Sequence, residues 1–146
     1  MARRTCYIAR RNIPGGPTMP LLHTSIRTSD MERTVGFYTE VLGMELVRQK
    51  AIAERKLEIS FLTSDGGHQI EVVRYAGQVG FQVPSYEERV FDHLAFEVDD
   101  MDAVLKGCEE RHGAVVERPF HLPGSSSTYA FIQDPDGVTI ELIHRA

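Results

Sequence analysis

Cysteine is scarce in this chain, which holds only Cys6 and Cys108, far apart in the sequence. Two such thiols make neither a disulfide framework nor the thiolate cluster of a closed structural zinc site, and they fit a reducing compartment, the cytoplasm. An excess of basic charge is also lacking. The formal net charge of −5 gives no electrostatic case for nucleic acid or for an anionic membrane as partner. No apolar run approaches the roughly 20 residues a membrane helix needs. These exclusions leave 146 residues, 42% hydrophobic and 25% charged, which is a soluble globular chain long enough for one packed domain of two small modules. Acid is missing from Met1 to Thr18, where Arg3, Arg4, Arg10 and Arg11 precede Ile13-Pro14-Gly15-Gly16-Pro17. That stretch lacks the apolar core of a secretory signal and reads as a basic leader or flexible arm, residues 1–18, so the fold is read from Met19 onward.

What is present is a repeat. Phe91-Asp92-His93-Leu94-Ala95-Phe96 and the residues to Asp102 have an earlier counterpart in Leu22-His23-Thr24-Ser25-Ile26 and the residues to Glu32, at an offset of 70 positions. Self-similarity at a fixed period decides whether one structural unit or two is being read. The same offset lays Asp30 on Asp100, Met31 on Met101, Gly43 on Gly113, Phe61 on Phe131, Ile70 on Ile140 and Glu71 on Glu141. Histidine and glutamate are therefore 48 positions apart in both halves, a match that core packing alone does not require.

The local patterns repeat with it. Leu22 to Arg27 alternates apolar and polar residues like a half-buried strand. Ser29-Asp30-Met31-Glu32 then starts a helix with capping-box spacing, and Gly43 ends it. Strands are expected at Met44 to Ala51, Leu57 to Thr63 and Gln69 to Tyr75, with Ser64-Asp65-Gly66-Gly67 as the hairpin turn. The second half gives a strand at Phe91 to Val98, a helix at Met101 to Arg111 closed by Gly113, and strands at Ala114 to His121, Ser127 to Gln133 and Val138 to His144. Asp134-Pro135-Asp136-Gly137 is the turn before the last strand. The expected class is α+β: two tandem βαβββ modules, residues 19–75 and 91–146, joined by a linker over 76–90.

Strand alternation assigns each candidate a side. His23, Ser25 and Arg27 share one face of the first strand, and His93, Ala95 and Glu97 share one face of the fifth. Glu71 and Glu141 likewise point away from the apolar neighbours on their strands, onto an open face of the sheet. Two imidazoles and two carboxylates with room for water or substrate oxygens suit octahedral Ni, Co, Mn or Zn better than a closed zinc site. His68, His112, His121 and His144 stand outside this pattern and read as ordinary surface or turn residues.

The chain from Met19 to Ala146 resembles the vicinal oxygen chelate superfamily, and within it the small bacterial type of glyoxalase I. The resemblance rests on Leu22-His23-Thr24, Arg27, Phe37-Tyr38 with Val41-Leu42-Gly43-Met44, Ile70-Glu71, His93-Leu94-Ala95 with Val98-Asp99, and Asp134-Pro135-Asp136-Gly137 with Ile140-Glu141-Leu142. It implies that the strands of the two modules form a curled mixed sheet around a metal site, with one divalent metal per site, Ni²⁺ or Zn²⁺ first and Co²⁺, Mn²⁺ or Fe²⁺ as alternatives, held by His23, Glu71, His93 and Glu141. It also implies a homodimer, with His23 and Glu71 meeting His93 and Glu141 across the subunit interface, although the sequence equally allows a site closed within one chain. The small-molecule substrate it implies is the hemithioacetal of methylglyoxal with glutathione or another thiol, converted to a lactoyl thioester through an enediolate. Glu141 would be the principal base, Glu71 its near equal by pseudo-symmetry, and Arg27 the residue for the glutathione carboxylate.

Two departures concern the thiol. Tyr75 stands where the family usually has an asparagine four residues after the second ligand, and His121-Leu122-Pro123-Gly124-Ser125 lacks the expected basic residue. The alternatives are another metalloenzyme of the superfamily, either a methylmalonyl-CoA-type epimerase or a dioxygenase, or a resistance protein that sequesters a ligand in the same cleft.

Overall fold

The computed structural model describes residues 20–146, so the basic leader and Met19 lie outside the described residues. In chain order the elements are β1 (Thr24–Arg27), α1 (Met31–Glu40), β2 (Glu45–Ile52), β3 (Leu57–Thr63), β4 (Gln69–Tyr75), β5 (Leu94–Glu97), α2 (Met101–Glu110), β6 (Ala114–His121), β7 (Thr128–Gln133) and β8 (Thr139–His144). Two four-stranded mixed sheets result, ordered β1-β4-β3-β2 and β5-β8-β7-β6, neither closed into a barrel. In each sheet the first strand runs parallel to the fourth and the other pairs are antiparallel. The class is α+β with two tandem βαβββ units, as the repeat implied.

The same alternation that sorts the ligands sorts the core. Ile26 lies beside Val72, Val72 beside Ser60 and Leu62 beside Ile70, which places one row of side chains under α1. The second sheet matches it with Leu94 beside Ile140, Ala130 beside Leu142 and Ile132 beside Ile140. From α1 the residues Met31, Thr34, Phe37 and Tyr38 are buried, and from α2 Met101, Leu105 and Cys108. All of these apolar residues belong to one cluster spanning both modules. Fully burying a side chain of this kind contributes about 1.5–3 kcal/mol. Close approach between modules requires glycine at Gly113, where a β-carbon would fall 2.6 Å from Cys108 Sγ and 2.7 Å from both Phe37 Cε2 and Gln133 O.

The helix starts differ from the expected capping box. Asp30, in extended conformation, is the N-cap of α1 and accepts from Arg33 N, while Asp100 does the same for α2 through Ala103 N. Ser29 is drawn away because its hydroxyl and N–H both bond Asp136. β1 and β5 also begin later than the alternation suggests, so His23 and His93 each sit immediately before their strand. Leu22 consequently misses the core and is 71% exposed. The stretch between modules includes one short 3₁₀ turn at Tyr86–Glu88.

Thr28 and Thr34, both fully buried, and the turn Asp134-Pro135-Asp136-Gly137 form a polar knot between the modules. Asp136 accepts from the Thr28 hydroxyl at 2.8 Å, from Ser29, from the Thr34 hydroxyl at 3.3 Å and from Arg33 at 3.1 Å. Those donors outweigh the opposing effect of burial and hold the Asp136 carboxyl below the usual aspartate range. Beside it, Asp134 accepts from the Tyr38 hydroxyl at 3.1 Å and from the N–H groups of Asp136 and Val138. Burial nevertheless pushes the Asp134 carboxyl up, and burial next to Asp134 pushes the Tyr38 hydroxyl well up.

Candidate active site

Each candidate glutamate sits in the middle of its sheet's fourth strand, facing outward. Glu71 lies between Ser25 of β1 and Phe61 of β3, and Glu141 lies between Ala95 of β5 and Phe131 of β7. Because His23 is two residues before Ser25, and His93 two before Ala95, period-two alternation carries each imidazole to the same side as its glutamate. His23 Nε2 is 3.7 Å from Glu71 Oε2, and His93 Nε2 is 3.2 Å from Glu141 Oε2. Both glutamate side chains are 20% exposed.

An aromatic wall backs each pair. The Phe61 ring meets His23 edge-on at 5.4 Å between centroids, and the Phe131 ring meets His93 at 5.6 Å. The offset of 70 already marked these phenylalanines as equivalent, yet their contact with the histidines needed the strand register to become visible. The flanking polar groups differ between halves. Ser25 donates to Glu71 Oε2 at 2.8 Å, whereas Ala95 has no hydroxyl to give. His93 Nδ1 donates to Asp92 Oδ2 at 2.5 Å, whereas the residue before His23 is Leu22.

The donor set fits a divalent cation. Imidazole nitrogens and carboxylate oxygens bind zinc at about 2.0–2.2 Å, which puts neighbouring donors about 3 Å apart, close to the spacing in both pairs. Cys108, the sulfur donor among the described residues, is buried behind the sheet, where burial pushes its thiol up to about 11. Among the described residues no three or more histidine, cysteine, aspartate or glutamate side chains converge to hold a metal ion. Within one chain, then, each His/Glu pair is half of the expected four-ligand set.

Arg27 extends from the same face as His23, with its guanidinium 4.0 Å above the Tyr75 ring. Stacking covers the flat face of the guanidinium and leaves its in-plane N–H groups to bind a planar anion. Arg27 and Ser25 also line a cleft of about 500 Å³, whose other side is formed by Phe81, Val83, Phe91 and Asp92. The four remaining histidines do not join the pairs. His121 Nδ1 donates to Ser127 O, His144 Nδ1 donates to Val98 O, His68 is exposed and His112 occupies a left-handed turn position.

Comparison with known proteins bears on the family and the fold. Residues 21–142 match the Glyoxalase/Bleomycin resistance protein/Dioxygenase superfamily. The chain is 37% identical to lactoylglutathione lyase GLX1 of Arabidopsis thaliana over 125 residues, covering 85% of this chain and 44% of the plant protein. It therefore spans somewhat under half the length of that relative. It is 35% identical to a probable lactoylglutathione lyase of Vibrio cholerae, covering 84% of this chain and 88% of that one. Among solved structures, the trypanothione-dependent glyoxalase I of Leishmania major superposes with a TM-score of 0.70 at 27% identity, covering 87% of both chains.

Proposed function

The chain belongs to the glyoxalase/bleomycin resistance protein/dioxygenase superfamily, and from that premise we propose that it is a glyoxalase I-like isomerase acting on the hemithioacetal of a 2-oxoaldehyde and a thiol. The carrying observation is the pair of matched His–Glu contacts, His23 with Glu71 and His93 with Glu141, each on the outward face of its sheet against a phenylalanine. In the assembled enzyme a divalent metal, Ni²⁺ or Zn²⁺, is held by His23 and Glu71 of one protomer and by His93 and Glu141 of its partner. A homodimer with two such shared sites follows from two-fold symmetry. When bound, the cation supplies Lewis-acid polarisation of the substrate carbonyl.

The chain's own groups then move the proton. Glu141 takes the hydrogen from the carbon bearing the thiol, and the released electron pair becomes the double bond of an enediolate. A proton returns from a carboxylate to the neighbouring carbon, leaving a thioester and no net change in composition. Glu141 is the better placed base because Ala95 leaves its oxygens without the hydroxyl that Ser25 gives Glu71. Positioned acid–base catalysis of this kind contributes about 10²–10⁴-fold.

Arg27 binds a carboxylate of the thiol at the rim of the neighbouring cleft. The thiol is glutathione or a relative of it; the Leishmania protein of the same fold is trypanothione-dependent. The test is to strip the protein with chelator, restore Ni²⁺ or Zn²⁺, and follow thioester absorbance from methylglyoxal plus glutathione. Metal-dependent turnover is expected. Stoichiometric metal binding without turnover, with glutathione or with trypanothione as the thiol, would reject the hemithioacetal and direct the assay to proton exchange in CoA thioesters.

A further inference from the structure

His93 is engaged at both ring nitrogens: Nε2 faces Glu141 at 3.2 Å and Nδ1 meets Asp92 Oδ2 at 2.5 Å. Its repeat equivalent, His23, follows Leu22, whose side chain has no acceptor. A carboxylate only accepts, so Asp92 and Glu141 compete for the proton of a neutral ring; it goes to the closer partner, donated from Nδ1 to Asp92 at 2.5 Å, and Nε2, 3.2 Å from Glu141, keeps its lone pair for a cation seated between the two. A neutral imidazole without such a partner carries its proton on either nitrogen, and the Nε2–H form has no lone pair to offer a cation at that atom.

We propose that Asp92 is a positioning residue for the second half-site, fixing the tautomer and the ring direction of His93 so that its Nε2 is presented as a ligand. This rests on the reading of His93 as a metal ligand. Outer groups that accept from a ligating histidine typically alter metal affinity by about 10–100-fold when removed. The first half-site does without one and relies on Ser25 to hold its carboxylate instead. The two halves of one metal site are therefore braced through different ligands, the imidazole in one and the carboxylate in the other.

The experiment uses Asp92→Leu, which copies the first module's residue, and Asp92→Asn, whose amide oxygen still accepts. Ring-nitrogen NMR of metal-free protein, at a pH where imidazole is neutral, is expected to show His93 as the Nδ1–H tautomer in the wild type and as a mixture in Asp92→Leu. His23 is expected to be unchanged. Calorimetric titration with Zn²⁺ should show affinity falling about 10–100-fold in Asp92→Leu and by less in Asp92→Asn. An unaltered His93 tautomer in Asp92→Leu would overturn the assignment, as would a shifted tautomer with unaltered Zn²⁺ affinity. If the wild type binds neither Zn²⁺ nor Ni²⁺, the metal reading fails, while the tautomer spectra still decide whether Asp92 sets the state of His93.

Discussion

In the first module Gly43 sits at φ +67° with nothing near the place a β-carbon would take; in the second, Gly113 occupies the equivalent place in the repeat with three atoms closer than 3 Å to that point. After α2 the left-handed residue is instead His112, at φ 65°. A glycine kept at matching positions is thus required for backbone conformation in one half and for space in the other. The turns before the fourth strands diverge further. Asp134-Pro135-Asp136-Gly137 grips the start of α1, but at the same offset the first module has Ser64-Asp65-Gly66-Gly67, with no carboxylate where Asp136 would be. The outward faces are alike, each carrying a His–Glu pair against a phenylalanine, while the supports behind them differ because they meet different neighbours.

The sharpest way to break the likeness of the faces is at the two carboxylates. Glu141→Gln is expected to lower kcat by about 10²–10⁴-fold with folding intact, and Glu71→Gln by less, in the thioester assay with saturating metal. Equal losses would mean that the carboxylates share the proton transfer evenly. Metal content measured on the same samples separates loss of a ligand from loss of a base.

The supports should separate in stability. Asp136→Ala removes the acceptor shared by fully buried Thr28 and by the partly exposed Ser29 and Arg33, and is expected to destabilise the fold by about 3 kcal/mol in urea unfolding. Asp65→Ala, in the corresponding exposed turn, should stay within about 0.5 kcal/mol. Next comes the glycine pair: Gly113→Ala should lose about 2–3 kcal/mol by overpacking against Phe37, and Gly43→Ala about 1–2 kcal/mol from its positive φ.

The smallest effect is on pH dependence. Asp136 has a depressed folded value, so its contribution is complete above the ordinary aspartate value of about 3.9 and is lost as pH falls through the depressed one. Asp134 has a raised folded value and acts in the opposite sense: its contribution is complete below the ordinary value and declines as pH rises through the raised one. Asp136→Asn should therefore flatten the acid limb of a stability–pH curve, and Asp134→Asn should steepen it.

The sequence made the outward faces legible because period-two alternation and the offset of 70 act on neighbouring residues. The ranges of β3, β4 and β6 could be read off directly, as could the common side of His23 with Glu71 and of His93 with Glu141. What escaped depends on distant contacts. Ser29 looks like a cap until Asp136, 107 residues away, takes its hydroxyl, and nothing local identifies Thr28 as buried. Leu22 looked like core because alternation does not say where a strand begins. Asp92 stood next to a singled-out histidine, and the signal available was that its repeat counterpart is apolar.

The grip of Asp136 on Thr28 joins residues 108 positions apart. On a growing chain, α1 is complete long before that carboxylate exists, and the buried hydroxyls of Thr28 and Thr34 have only one another, the Asp30 carbonyl and water until the last hairpin is made. Contacts of such sequence separation close late and link the parts they join. The first module thus acquires its final interior only when the second arrives, which makes the repeat two units in pattern but one unit in folding.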